Sequence, residues 1–134
     1  NFVSNGTNIL KNLMGEKVFD FPKSIYYVKD IINLISKKNG YVLDFFSGSA
    51  TTAHSVMLLN AEDGGNRKYI MVQLPELCKE DSEACKAGYK NICEIGKERI
   101  RRAGDRIKED ETLPLENREK LDTGFKVFKL DSSK

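Results

Sequence analysis

A chain of 134 residues with 40% hydrophobic and 31% charged side chains has the size and composition of one small domain, or of a piece of a larger one. Its 22 basic and 20 acidic residues leave a net charge of +2, so total charge makes no demand for a nucleic-acid partner. No apolar run approaches the ~20 residues that would span a bilayer, which predicts no membrane partner. Cys78, Cys85 and Cys93 are too widely spaced for a structural zinc site, and the single histidine, His54, is far from them in sequence. They read as reduced thiols of a cytoplasmic protein, with no metal. The opening Asn1-Phe2-Val3-Ser4-Asn5 has neither a signal peptide nor a starting Met, which reads as a fragment of a longer chain.

Residues 1–17 form a lead-in without a predicted element. Pro22 to Asn39 reads as a helix opened by proline near its first turn and stopped by Gly40. Ile25, Val28, Ile31, Ile32 and Ile35 give it one apolar stripe. Tyr41 to Phe46 is a first strand, apolar enough to be buried on both faces as parallel sheets require. A crossover helix follows over Ala50 to Asn60, with Ala53, Val56, Met57 and Ala61 turned to the sheet. After the turn Glu62 to Asn66, Lys68 to Leu74 is a second strand. A long helix is predicted from Glu83 to Arg106, its buried side traced by Cys85, Tyr89, Ile92, Gly96, Ile100 and Ala103. Residues 105–122 form a charged connection containing Pro114, a linker or an exposed turn-helix, and 123–134 a closing segment whose Gly124 to Leu130 reads as an edge strand. This order predicts an α/β fold, a sheet of about three strands with flanking helices and right-handed crossovers. Three strands fall short of a complete doubly wound domain.

The chemistry concentrates between Val42 and Ala61. A buried strand ends in Asp44, a turn of small residues runs from Ser47 to Thr52, and a helix begins. Open α/β sheets build cofactor pockets this way. Small residues let backbone approach the ligand, free helix N–H groups favour its anionic end, and the acid accepts hydrogen bonds.

The wording of the loop is specific. Asp44-Phe45-Phe46-Ser47-Gly48-Ser49-Ala50-Thr51-Thr52-Ala53-His54 resembles the S-adenosylmethionine loop of amino-DNA methyltransferases, and its Thr-Thr-Ala-His continuation most resembles the modification (Mod) subunits of Type III restriction-modification systems. Phe19-Asp20-Phe21-Pro22-Lys23-Ser24 is similar to the family's upstream cofactor motif. Asn66 to Glu76 is similar to its second strand, Ala87 to Ala103 to the next helix, and Leu121 to Ser132 to its closing strand. The resemblance spans roughly Val18 to Ser132, with residues 18–104 as the cofactor-binding core. It implies a partial Rossmann-like methyltransferase fold that binds S-adenosylmethionine through Lys23, Asp44, Phe45, Phe46, Ser47, Gly48, Ser49, Thr51, Thr52 and Gln73.

Two positions depart from the family pattern. Ala50 stands where glycine is usual, and its place at the start of a helix predicts ordinary helical dihedrals. Gln73 replaces a ribose-binding acid, although an amide still accepts from a hydroxyl and also donates. The expected role of Asp44 is a hydrogen bond to the cofactor, direct or through water, and that of Lys23 a contact with its carboxylate. Thr51 and Thr52 are candidate caps of the crossover helix. His54 lacks the order of groups a hydrolase elbow needs and reads as a packing residue behind the loop. The basic run Lys97, Arg99, Arg101, Arg102, Arg106 and Lys108 is interleaved with acids and reads as a solvated helix face, with DNA phosphates the alternative. Tyr26-Tyr27 reads as packing.

The resemblance implies methyl transfer to adenine N6 in duplex DNA, with DNA, a restriction (Res) subunit and a second Mod copy as partners. The family's catalytic Pro-Pro-aromatic motif does not occur among Pro22, Pro75 and Pro114, so no catalytic residue is expected here and the segment alone is expected to be inactive. The alternatives are part of a cytosine-N4 or orphan adenine methyltransferase, or a non-catalytic interaction module of the same fold.

Overall fold

The helix that follows the small-residue turn, α3 (Thr51–Asp63), lies at the centre of the protein. In the computed structural model, which describes residues 2–15 and 24–132, the other elements pack against it or against one another. In chain order these are α1 (Phe2–Met14), α2 (Ile25–Ile35), β1 (Tyr41–Asp44), β2 (Lys68–Met71), α4 (Glu83–Lys86), α5 (Ile92–Glu109) and α6 (Leu115–Lys120). Every residue from Thr51 to Met57 is buried, as are Leu59, Asn60 and Ala61. The predicted amphipathic crossover helix is thus buried on all sides. Its small side chains permit this, because Ala53, Ser55 and Ala61 let neighbours approach closely.

Val56 and Leu59 pack with Ile32 of α2 and Val42 of β1. On another side, Ala53, Met57 and Ala61 meet Ile100, Ala103 and Ile107 of α5, with Tyr69 and Met71 of β2 against the same cluster. A third cluster joins Leu10 and Met14 of α1 to Ala84 of α4 and Ile95 of α5. Arg102 of α5 donates to the Met14 carbonyl at 2.9 Å and Arg106 to that of Asn12 at 3.2 Å. Both cations thereby satisfy the open carbonyl end of α1.

β1 and β2 pair in parallel, with Tyr41 opposite Lys68 and Asp44 opposite Met71. Among the described residues the sheet has these two strands, one fewer than expected. Gly124 to Leu130, read as an edge strand, forms no strand. It follows Leu121, which is buried on the α3–α5 cluster, and Phe125 lies under the Arg101 guanidinium, 5.5 Å from ring centre to carbon. Packing on a helix therefore holds this tail where ladder bonds were predicted. The strand predicted to be buried on both faces is covered on one: Val42 and Asp44 face inward, while Tyr41 and Leu43 are exposed.

Three helices also differ from expectation. α2 stops at Ile35, where the Ser36 hydroxyl donates to the Ile32 carbonyl at 2.7 Å; only Ile25 and Ile32 of its stripe are fully buried, and Ile35 is 80% exposed. The long helix predicted over 83–106 is two. Gly88, at φ 94°, ends the first, and the Asn91 side chain caps the second by accepting from the Glu94 N–H at 3.1 Å. The charged connection, read as a linker or an exposed turn-helix, contains the end of α5 and the short helix α6, whose Asn117 donates to the Ala61 carbonyl at 3.0 Å. α1 occupies most of the lead-in.

A Cβ added at Gly104 of α5 would meet the Cβ of Thr123 at 2.8 Å, so this glycine admits the tail onto the helix. Gly104→Ala is expected to destabilise by about 1–3 kcal/mol through overpacking. Denaturant unfolding measures this, and Thr123→Gly should recover most of the loss.

Candidate functional site

The loop after β1 is held from three directions. From the strand, Asp44 spans it: Oδ1 accepts from the Phe46 N–H at 2.9 Å and Oδ2 from the Thr52 hydroxyl at 2.7 Å. From the end of β2, the Val72 carbonyl accepts from the Ser47 N–H at 3.1 Å, and Gln73 Oε1 accepts from the Gly48 N–H at 2.7 Å. Gln73 Nε2 donates to the Leu74 carbonyl at 3.1 Å, so both ends of its amide brace backbone. The Ala50 N–H closes a turn on the Ser47 carbonyl at 2.9 Å.

Ala50 corrects an expectation. It precedes the helix as its N-cap, at φ 64° and ψ 34°, in the left-handed region. Gly48, at φ 54°, shares that region, so two residues of the loop are left-handed. For alanine this costs roughly 1–2 kcal/mol. The methyl group is buried, and a Cβ added at Gly96 of α5 would lie 3.5 Å from it, so Ala50 fills space that glycine would leave. The expected threonine caps are also absent. No side chain caps α3; Thr52 turns to Asp44 and Thr51 to α5. Ala50 has no side chain with which to cap α3, and its carbonyl accepts from the His54 N–H at 3.2 Å to start the helix.

The third hold comes from Arg99 of α5, which is 0% exposed. Its Nη1 donates to the Thr51 hydroxyl at 2.9 Å, to Ser49 Oγ at 3.0 Å and to the Ser49 carbonyl at 3.4 Å. Nε donates to His54 Nδ1 at 3.3 Å, and Nη2 lies at the same distance from that nitrogen. Such an arrangement requires His54 to be neutral, with its proton on Nε2. Burial, then the charges of Arg99 and Arg106, push the imidazole down to about 3, and burial lowers Arg99 to about 10. The reading of Arg99 as part of a solvated or DNA-facing run is therefore corrected. A signal was present: Arg99 lies three residues after Gly96 and four before Ala103, on the buried stripe of α5. Elsewhere in the run, Lys97 pairs with Glu94, and both Arg101 and Arg102 pair with Glu98. His54 does sit behind the loop, as expected.

The other predicted positions distribute simply. Phe45 and Phe46 are exposed beside the strand end, Ser47 and Gly48 are half-buried, and Ser49, Thr51 and Thr52 are buried beneath them. Lys23 and the motif residues Phe19 to Pro22 lie outside the described residues, while Ser24, the last of the motif, is buried at the start of α2. Tyr26 and Tyr27, read as packing, are 52% and 53% exposed, because α2 turns Ile25 and Ile32 inward instead. The cysteines are free thiols, and Cys93 Sγ lies 3.6 Å from the Gln73 carbonyl. No helix among the described residues is long and apolar enough to cross a membrane.

Residues 3–104 match a family described as DNA methylase. The chain is 44% identical over 124 residues to the Mod subunit of the Type III restriction-modification enzyme StyLTI of Salmonella typhimurium, which is 92% of this chain and 18% of that protein. It is 40% identical over 125 residues to the EcoPI Mod subunit of Escherichia phage P1, again 18% of the relative's length. It is also 38% identical over 104 residues to the Type II methyltransferase M.KpnI of Klebsiella pneumoniae, 78% of this chain and 25% of that one. The chain thus spans a quarter or less of the curated relatives it matches.

The neutral imidazole has a pH consequence. An unfolded histidine titrates near 6.5 and the buried one near 3, so between these values the unfolded state binds the extra proton. The stability contributed is complete above pH 6.5 and falls as the pH drops toward 3, by up to about 1.4 kcal/mol per pH unit. Thermal melts from pH 7 to 5, above the range where carboxylates titrate, isolate this effect. His54→Asn should flatten the decline.

Proposed function

The chain belongs to the DNA methylase family, and from that premise we propose that it is the S-adenosylmethionine-binding segment of a Type III modification subunit that methylates adenine N6 in duplex DNA. The observation that carries this reading is the Asp44 clamp. A strand-end carboxylate bonded across the loop to Thr52 stands beside a helix N-terminus with no side-chain cap.

The donor set fits the cofactor. Each Asp44 oxygen keeps a lone pair after its observed bond, so the carboxylate still accepts from a hydroxyl or an ammonium group. The positive end of the α3 dipole suits a ligand carboxylate. Gly48 and the half-buried Ser47 present backbone, and the exposed rings of Phe45 and Phe46 offer apolar surface for a nucleoside. Gln73 holds the loop against β2, and Lys23 is assigned the ligand's carboxylate. When bound, S-adenosylmethionine supplies the methyl group. In this reading β1, α3 and β2 are the first unit of a Rossmann-like sheet. Tyr41, Leu43, Ile70 and Leu74 expose apolar surface on its outer face. Parallel sheets are normally covered on both faces, which supports a larger domain continuing over this one. The residues that orient the flipped adenine, the contacts to DNA and those to the Res subunit and a second Mod copy are assigned to the rest of that protein.

A second reading, part of a Type II methyltransferase, is favoured by the likeness to M.KpnI. Higher identity over more of the chain favours the Type III assignment.

Asp44→Ala is expected to weaken S-adenosylmethionine binding at least tenfold, consistent with about 1.5–3 kcal/mol for a charge-assisted hydrogen bond. Isothermal calorimetry on the full-length protein measures it, with circular dichroism as the control for folding. Unchanged affinity in the folded variant would reject the assignment.

A further inference from the structure

Arg99 is the one fully buried arginine that no acid pairs with among the described residues. Arg67, the other buried arginine, makes a bidentate pair with Asp63 at 3.0 and 2.8 Å. Arg99 has neutral acceptors only, and every one belongs to the loop or to the first turns of α3: Ser49 O, Ser49 Oγ, Thr51 Oγ1 and His54 Nδ1. Its charge also lies at the amino end of α3, where the helix dipole opposes a cation. Burial without a counter-ion and placement against the dipole both make it a poor choice for stability alone. What the guanidinium does achieve is geometric. With Nε and Nη2 on His54, Nη1 reaches two residues that flank the left-handed Ala50, so Ser49 and Thr51 are fixed on either side of a conformation that a residue with a Cβ disfavours.

We propose that Arg99 is a positioning residue for the cofactor loop. Reaching from α5, it holds the Ser49–Thr51 turn in its ligand-ready shape, and neutral His54 orients the guanidinium from behind. The inference rests on the cofactor reading above. It differs from a structural role in what it changes, because a loop fixed in advance spares the ligand the cost of ordering it.

Arg99→Lys in the full-length protein keeps the charge and loses the fork. The expected result is an S-adenosylmethionine Kd raised at least tenfold, with DNA affinity unchanged. In steady state, KM for S-adenosylmethionine should rise by a similar factor while kcat at saturation stays within about threefold. Hydrogen exchange at Ser49 to Thr52 should speed up in the unliganded variant, with exchange across β1 and β2 unaltered. His54→Leu removes the acceptor behind the fork and should raise the Kd about threefold. His54→Asn, whose amide oxygen stands near the place of Nδ1, should restore it. Unchanged Kd and loop exchange in folded Arg99→Lys, while the parent binds the cofactor, would overturn the positioning role alone. A parent protein that does not bind S-adenosylmethionine would overturn the cofactor reading with it. Should Arg99→Lys not fold, the His54 pair decides, and equal affinities for His54→Leu, His54→Asn and the parent would reject the role.

Discussion

Burying α3 on every side is the constraint from which the arrangement of the other elements follows. A helix with no solvent face must satisfy each polar side chain within the protein, since an unpaired buried group costs about 1–3 kcal/mol. Polar residues of α3 meet this demand through several neighbouring elements. Thr52 donates to Asp44 at the end of β1, and the Ser55 hydroxyl lies between the Thr51 carbonyl of its own helix at 2.8 Å and the Ile25 carbonyl of α2 at 3.1 Å. Asn60 donates to the Arg67 carbonyl at 3.0 Å and accepts from its N–H at 3.1 Å, next to β2, and His54 accepts from Arg99 of α5. Apolar packing brings four elements against the helix without direction. These bonds fix its rotation and height against each of them.

The two ends of α3 solve opposite problems. At its carboxyl end Gly64 takes a left-handed turn at φ 69°, and Arg67 lies where the helix dipole favours a cation. Arg67 is also paired with Asp63, whose carboxyl is held below its ordinary value by the hydrogen bond and charge of Arg67 despite the opposing effect of burial. That end is built for stability. At the amino end, a left-handed alanine, an uncapped helix and an arginine without an acid coincide within a few residues. Strain and uncompensated charge concentrated in one loop are typical of a site that binds something.

The sheet face turned away from the helices completes this asymmetry. Val42, Tyr69 and Met71 are covered by the helices, while Leu43 and Ile70 on the other face are half-exposed. The loop, the exposed Phe45 and Phe46, and this open face all lie at or beside the ends of β1 and β2. The loop and the open apolar face are therefore adjacent.

Local order was legible in the sequence. The strand ending in Asp44, the small-residue turn, the helix after it and the parallel second strand are encoded by periodicity and turn chemistry within some thirty residues, and the loop's wording identified the family. Other features depended on contacts between distant segments. Arg99 reads as one cation among several until α5 packs 45 residues away against His54. Ala50 is left-handed because Asp44, Gln73 and Arg99 over-determine the turn, overriding a preference that favours helical dihedrals for an isolated alanine. The last segment alternates like a strand, yet its place on Gly104 and Arg101 is set by packing, and one apolar face of the sheet stays open. Sequence spacing determined which residues stand next to one another along an element. Only the tertiary structure decided which of them lost their water, because burial is a property of what packs on top.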